Sequence, residues 1–476
     1  VADLISDGGQ VQEMLPTMSR QLASFVAGSQ LEAIPAHVRH HAVLALFNAF
    51  AAGLAGAGDD VIARLGVAFE SVSGTGNHGL IGSAGRHDIQ SAAFINAATM
   101  NVLDFDDTHI PTIIHPTSVV APAVLALAER LALSGAEALH ALVLGMEVTC
   151  RIGNAVTPGH YARGWHITAT CGIFGAAAAC AKLLGLDEQA TLWALGNASS
   201  QAGGLVETLG FMSKSVGVGA AARGGLMSAI MAKGGVQGPP LPLEGPRGFV
   251  QVTSDRPEFE RLHTGLGEEW DMLQTMFKPY PCGVVLNPVI DASLTARNLL
   301  RIDPAQVSSI VVTGNPLLRN RADRPAITAG REAQVSAQHA IAASLLKGAA
   351  GAAEFSDAAV ADPHLRAFRA KVRSVEVDQD IPIEAVRLRI ELTNGEAVDV
   401  EEVCARGSAA RPMDDGDLSA KMTAAAKFGC PGLDCEPLAD ALWNVRDVPE
   451  ASILMKLANP ADSDAAARHV RSNLLV

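Results

Sequence analysis

The sequence predicts a mostly α protein: a large all-helical domain joined to a smaller α+β domain. Three observations predict it. Apolar residues recur at helical spacing almost without a break from about residue 20 to 235. A Gly- and Pro-rich loop at about 236–250 ends that pattern, and over roughly 270–405 the period shortens to two. The composition is 49% hydrophobic but only 4% aromatic, so Ala, Val, Leu and Gly must fill the core, which lets helices approach closely.

Within the first stretch the spacing predicts a helix over 118–133, closed by Ser134-Gly135, and another over 136–156 that breaks at Pro158-Gly159. Further helices are predicted over 168–184, over 187–200 with Asp187 as N-cap, and over 220–233 before Gly234-Gly235. They are apolar nearly all round, which means burial inside a large helical domain. Beyond the loop, Val307 to Thr313 is β-branched and strand-like. Val372, Ser374 and Glu376 alternate with Arg373, Val375 and Val377. Val386, Leu388, Ile390 and Leu392 alternate with Arg387, Arg389, Glu391 and Thr393, and Asn394-Gly395 then turns a hairpin into a strand over 397–403. A helix over 333–347 sits among these strands, and the chain from about 415 reads as helical again, able to pack back on the first domain.

Charge narrows the function classes. Lys and Arg number 36 against 50 Asp and Glu, a net charge of −14, which repels nucleic acid and anionic membrane. Any anionic ligand must therefore meet positive charge concentrated locally. The seven cysteines include no CxxC pair, so reduced thiols of a cytoplasmic enzyme are expected rather than a zinc ribbon or iron–sulfur cluster. The first residues, Val1 to Asp7, carry no basic or long apolar run of a signal peptide, and the longest uncharged stretch, 164–181, reads as buried helix rather than membrane span. Gly74-Thr75-Gly76-Asn77-His78-Gly79 fits GxGxxG but has no strand–helix context, so it reads as a loop.

Four segments are dense in chemistry. Asp104-Phe105-Asp106-Asp107-Thr108-His109 with His115-Pro116-Thr117-Ser118 precedes a buried helix that Thr117 or Ser118 can cap and Pro116 can open. It admits three readings: a capped helix entrance, a metal site from Asp106, Asp107, His109 and His115, or an acid–base centre. His160-Tyr161-Ala162-Arg163-Gly164-Trp165-His166 repeats the design, delivering Arg163 and His166 to the next helix. Phe211 to Gly217 delivers Lys214, an ammonium costly to bury without a partner. Lys278-Pro279-Tyr280-Pro281-Cys282-Gly283 adds a cation and a phenol where the two domains meet, and Tyr161 and Tyr280 are the chain's two tyrosines.

Three of these loops set a cationic or titratable residue beside a helix N-terminus. Each such terminus favours an anion by about 0.3–1 kcal/mol. Three give a few kcal/mol, short of the roughly 8 kcal/mol at the low end of catalysis. Arg163, Lys214, Lys278 and the imidazoles must add charge-assisted bonds and proton transfer. The implied ligand is a small polycarboxylate, and the implied chemistry is proton removal or delivery at a carbon next to a carboxylate, with no redox cofactor.

At these residues the chain resembles the MmgE/PrpD family. The similarity runs in order through Asp104 to His109 with His115-Pro116, His160 to His166 with the Ala-rich helix and Lys182-Leu183-Leu184-Gly185-Leu186 after it, Lys214, Lys278 to Cys282 with Asp291, and Arg324-Pro325 with the helix from Glu332. That family includes 2-methylcitrate dehydratases, cis-aconitate decarboxylases and iminodisuccinate epimerases. The resemblance implies a helical domain built from 16–268 with 410–476, a smaller α+β lid domain over 269–409, a homodimer, and catalysis without metal or other cofactor. It also implies that Asp104, Thr108, His115, His166, Lys214 and Lys278 occupy active-site positions. His166 and His115 are then the acid–base pair, with Lys214 and Asp104 beside them, while Arg163, Thr108, Lys278, Tyr161 and Tyr280 bind the carboxylate substrate.

The family often carries a histidine two or three residues after Lys214, where Val216, Gly217 and Val218 stand here. Its polar or histidine positions after Pro281-Cys282 are Gly283 and Asn287. The leading expectation is a dehydratase-type lyase acting on a small di- or tricarboxylate. Epimerisation or isomerisation of a related dicarboxylate is the alternative, and the missing histidines weigh against cis-aconitate decarboxylation. A metal-dependent hydro-lyase and a non-catalytic binding protein are the rivals from other classes.

Overall fold

The computed structural model describes residues 17–73, 76–299 and 301–460. The N-terminal residues Val1 to Asp7, Gly74-Thr75 of the glycine-rich run, and the expected ends of the helical domain at 16 and 476 lie outside the described residues. The protein has a helical body and a smaller part with a mixed sheet.

The body begins with α1 (Met18–Gly28), α2 (Ala36–Gly56) and α3 (Asp60–Glu70). A hairpin of β1 (His78–Leu80) and β2 (Ser83–His87) follows, then α4 (Ile89–Asn101), the short β3 (Thr108–His109), α5 (Pro116–Leu131) and α6 (Gly135–Val156). The run continues through α7 (Gly159–Ala162), α8 (Ile167–Leu183), α9 (Glu188–Ser199), α10 (Ser213–Lys233) and α11 (Phe249–Thr253). Side-chain caps fix several starts: Asp59 accepts from Val61 N–H, Ser134 and Glu137 form a reciprocal capping box, and Asp187 accepts from Ala190 N–H.

The centre of the body is α8, buried from Ile167 to Ala181 and packed by α5, α6 and α10. A helix of Ala and Gly suits that place because neighbours can close on it from every side. At Gly175 an added Cβ would lie 1.9 Å from Thr149 Oγ1 and 2.3 Å from Gly145 O. The same closeness explains why α10 begins at Ser213, seven residues before the predicted start. The glycines that weaken the helix pattern at 217 and 219 are built in, and a Cβ at Gly219 would meet the Phe94 ring at 2.7 Å. Among the described residues, this single helix is long and apolar enough to cross a membrane, and α4, α8 and α9 cover most of it. All seven cysteines are free thiols, Cys430 and Cys435 included.

The predicted cap of α5 is corrected. Pro116 does open the helix, but neither Thr117 nor Ser118 caps it. Thr117 Oγ1 donates to Asp107 Oδ2 at 2.5 Å and Ser118 Oγ donates to His115 O at 3.2 Å, so both hydroxyls serve the loop before the helix.

After the body, residues 259–274 run over α6 and are tied down by a buried ion pair. Arg151 Nε donates to Glu147 at 2.6 Å, and its guanidinium also reaches Thr264 O and Glu269 O. Glu147 in turn accepts from the Asp271 and Met272 N–H groups. The chain then enters β4 (Thr275–Met276), which pairs antiparallel with β3, Thr108 opposite Met276. This pairing sets the acidic loop beside the segment that carries Lys278.

The smaller part contains α12 (Asn287–Asn298), β5 (Val307–Gly314), α13 (Pro316–Ala322), α14 (Gly330–Ala333), α15 (Ala337–Lys347), α16 (Asp357–Ala361), α17 (Pro363–Arg369), β6 (Val372–Val377), β7 (Val386–Leu392) and β8 (Ala397–Glu402). The strand order is β6-β5-β7-β8; β5 runs parallel to β6 and antiparallel to β7. Val386, Leu388 and Ile390 are buried on the face that packs on α12, while Arg387 and Arg389 face solvent and pair with Glu401 and Asp399. Strict alternation fails in β6, where Val372 and Val375 are both buried, because a bulge leaves Arg373 without a partner between them. The Asn394-Gly395 turn forms as predicted, with Gly395 at φ 88°. Finally α18 (Asp415–Gly429), α19 (Glu436–Trp443) and α20 (Ser452–Leu457) return to the body and share one apolar core with α2.

Candidate active site

Between body and sheet-bearing part lies a cavity of about 310 Å³, ample for a small polycarboxylate. Its floor is assembled from the starts of three helices. His115 stands at the N-cap of α5, His166 at the N-cap of α8, and Lys214 in the first turn of α10. The first two are stitched together directly, since His115 N–H donates to Thr168 Oγ1 at 3.2 Å.

Asp104 is the hub. Its Oδ1 lies 2.7 Å from Lys214 Nζ, 3.3 Å from Lys278 Nζ and 3.6 Å from His115 Nε2. Lys278 Nζ also donates to the Asp104 carbonyl oxygen at 3.0 Å. Asp104 sits at φ 54°, a left-handed conformation that Asp tolerates better than most residues and that aims both its carboxylate and its carbonyl at the lysines. Burial alone would raise its carboxyl, but Lys214, then Lys278, outweigh it and hold the group well below the usual carboxylate range. By the same pairing Lys214 is raised although burial opposes it.

Beneath the floor lies a second polar layer. Asp106 accepts from Asn101 Nδ2 at 2.7 Å, and its other oxygen is 3.6 Å from His115 Nδ1. Burial pushes Asp107 up to about 7 despite its bond from Thr117. Lys421, arriving from α18, donates to Asn48 Oδ1, Phe105 O and Lys278 O at 2.7, 2.8 and 2.8 Å. Burial, then the charge of Lys278, pushes Lys421 well below the usual lysine value. Three acceptors each take one N–H, however, which the ammonium alone supplies, so the geometry is that of the charged form.

The histidines differ in what holds them. His115 Nδ1 donates to the Asp107 carbonyl at 2.6 Å and lies 3.3 Å from Thr108 Oγ1, which leaves its Nε2 with the lone pair, directed towards Asp104. His166 is anchored through its backbone, N–H to Gly204 O at 3.0 Å. Burial, then Lys214, lowers His166 to about 3, and burial also lowers His115. Both imidazoles are therefore neutral at pH 7.

Of the nine residues singled out in the sequence, seven line this cavity or touch its floor: Asp104, Thr108, His115, Tyr161, His166, Lys214 and Lys278. Two do not. Arg163 points outward, paired with Asp255 at 3.1 Å and bonded to Val252 O; Gly164, at φ 95°, reverses the chain between it and His166. Tyr280 drops into the core of the smaller part, where its hydroxyl donates to Asp291 at 2.5 Å and burial raises its pKa.

The opposite wall went unassigned in the sequence. Arg321, Arg324 and Arg331 line it, within a segment that packs four arginines into positions 319–331 of an acidic chain. That local charge reversal was the available signal. Gly283 also lines the cavity, adding no side chain, while Asn287 is buried outside it.

The metal set Asp106, Asp107, His109 and His115 does not assemble, because His109 turns away to share a hydrogen with Thr112 Oγ1 at 2.7 Å. Donor atoms of Asp104, Asp106 and His115 do lie within 4.8 Å of one another. They fit a metal ion poorly, since Asp104 Oδ1 already holds two ammonium groups and a dication there would face both.

Known proteins share this arrangement of sequence. The model of the MmgE/PrpD N-terminal domain matches residues 20–262, and that of the MmgE/PrpD C-terminal domain matches residues 280–436. The cis-aconitate decarboxylase of Mus musculus is 26% identical over 480 residues, covering 96% of each chain. That of Homo sapiens is 27% identical over 397 residues, covering 80% of this chain and 82% of the relative. The cis-aconitate decarboxylase-like protein oryM of Aspergillus oryzae is 32% identical over 281 residues; that match spans 56% of this chain and 58% of the relative, less than two thirds of its length.

Proposed function

The chain belongs to the MmgE/PrpD family and is an enzyme of the lyase type; from that premise we propose that it performs acid–base elimination on a small di- or tricarboxylate, using its own side chains. One observation carries this reading: the His115 imidazole and two ammonium groups converge on the Asp104 carboxylate, inside one cavity that the neutral imidazole of His166 also lines. Lys214 and Lys278 hold a substrate carboxylate and stabilise the charge that grows on it as the neighbouring carbon loses its proton. His115 takes that proton on Nε2, the nitrogen left free by its bond to Asp107. His166, neutral in the free enzyme, takes a proton from solvent as the polyanion enters beside it and gives that proton to the leaving hydroxyl as the C–O bond breaks, so that water departs. Asp104 keeps the two ammonium groups together and in register. Lys421 is a positioning residue, holding the Lys278 carbonyl from below.

Decarboxylation is the second reading, favoured by the similarity to cis-aconitate decarboxylases. There the C–C bond breaks, carbon dioxide leaves, and a histidine delivers the proton to the carbanion carbon. The side chain missing at Gly283 and the position of Asn287 outside the cavity weigh towards elimination. A panel of di- and tricarboxylates, cis-aconitate included, followed by NMR in deuterated water tests both. Loss of water supports elimination, release of carbon dioxide supports the second reading, and exchange alone supports an epimerase. No exchange and no turnover with any member would sink all three. Activity should persist after exhaustive chelation; its loss and recovery with added metal would overturn the residue-only chemistry. The homodimer implied by family membership is part of the same proposal, and sedimentation at the monomer mass would remove it.

A further inference from the structure

Resting on the polycarboxylate reading, we propose that Arg321 and Arg324 form a second anion subsite, which takes a carboxylate remote from the reacting carbon and selects tricarboxylates over dicarboxylates. The floor alone does not account for a polyanion. Of its two ammonium charges, Asp104 offsets one, leaving enough for a single substrate carboxylate. Across the cavity stand three arginines, and Arg331 is engaged by Asp59 at 2.6 Å. Arg321 and Arg324 have no carboxylate partner among the described residues, although Arg373, Arg387 and Arg389 of the same part each have one.

Arg321 is nonetheless held by its side chain, and Arg324 by its backbone. The Arg321 guanidinium lies over the Tyr161 ring, 4.7 Å from its centroid. Stacking fixes the plane and leaves the N–H edge open, which is the edge a carboxylate engages with two parallel bonds. The backbone around Arg324 is tied to α15: its N–H donates to Gln338 Oε1 at 3.2 Å and its carbonyl accepts from Ser336 Oγ at 2.7 Å. The nearby carboxylates are engaged elsewhere: Asp323 accepts from Gln338 Nε2 at 2.7 Å, and Glu332, which feels the Arg324 charge, accepts from the Thr328 and Ala329 N–H groups. Arg319, two residues earlier, is fixed to Val375 O at 2.6 Å. A guanidinium stacked on Tyr161 and a second, exposed one on a tied backbone line the same cavity of 310 Å³ as the two lysines, which makes a site for a ligand charged at both ends.

The test uses unreactive ligands, so it does not depend on turnover. Propane-1,2,3-tricarboxylate and succinate are titrated by calorimetry into the full chain and into Arg321→Met, Arg324→Met and Arg321→Lys. The wild type should prefer the tricarboxylate. Arg321→Met should weaken it on the order of ten- to a hundredfold, the range for a lost charge-assisted bond, and change succinate less than about threefold. Arg324→Met should act in the same direction, and Arg321→Lys should recover part of the preference. Equal weakening of both ligands, no change in either, or no preference in the wild type would overturn the subsite. Thermal melts of each variant separate lost binding from lost folding. Tight, arginine-dependent binding without any deuterium exchange would sink the acid–base reading and leave this subsite standing; exchange with an unaltered preference would do the reverse.

Discussion

His115 is defined by its two nitrogens: one spends its hydrogen on the Asp107 carbonyl, and the other keeps a lone pair beside Asp104. Replacing it with Asn should lower kcat on the order of 10²–10⁴-fold, the usual worth of a positioned proton acceptor, and His166→Asn should do the same. Activity within threefold of wild type in either variant would remove that histidine from the chemistry. The pH profile follows from sign. His115 must be neutral to accept a proton, and burial lowers it from 6.5, so the acid limb of kcat/KM that it controls should lie below pH 6.5. An acid limb centred at or above 6.5 would contradict a buried, neutral His115. Much of this site was legible in the sequence, because its donors precede helices whose apolar runs announce burial. Arg163 and Tyr280 were misread because a glycine reversal and a lid-core bond decide their direction, and neither leaves a local mark. Lys421 was invisible for a related reason: its three acceptors sit 373, 316 and 143 residues away.

Helices deliver these residues, so the distances between helices matter as much as the side chains at their ends. The contact of α6 with α8 closes through Gly145 and Gly175, where there is no room for a methyl group. Gly175→Ala should destabilise the fold by about 1–3 kcal/mol, as overpacking does, and lower turnover with it, since α8 carries His166. An unchanged urea midpoint would mean that the two helices have slack. The buried Arg151 works similarly at longer range. Arg151→Ala would leave Glu147 buried without its cation and release the segment leading to Lys278, at a cost of roughly 3–5 kcal/mol. Most helices and the Asn394-Gly395 hairpin were legible because period and caps are local. The start of α10 was not, since Gly217 and Gly219 look like helix breakers until the facing Phe94 is known. Nor was the β3–β4 pairing, two residues on each side with partners 168 and 166 residues apart, too short to leave an alternation. The bulge at Arg373 likewise depends on the partner strand.

At the scale of the whole molecule, a chain of net charge −14 encloses a cationic cavity and a set of neutral imidazoles, and pH acts on the two differently. Burial lowers His109 and His160 to about 4 and His166 to about 3. An unfolded chain would protonate all three near 6.5, so between there and about 4 the unfolded state binds more protons and stability falls as pH falls. Each contributes up to about 1.4 kcal/mol per pH unit inside that window. Asp107 acts with the opposite sign. Raised to about 7, it keeps its proton in the folded state, so acidification through 7 to 3.8 favours folding and offsets one histidine. Relief of the net negative charge also favours folding at lower pH, but repulsion between distant surface charges is largely screened at 0.15 M salt. The balance leaves acid-lability well before the carboxylates titrate. The urea midpoint in 0.15 M salt should therefore drop between about pH 7 and pH 5, and His160→Gln should flatten the dependence because His160 lies away from the cavity, bonded to Thr170 and Thr253. A midpoint constant across that range would mean that these imidazoles are reached by solvent, and the neutral pair at the cavity floor would fall with it.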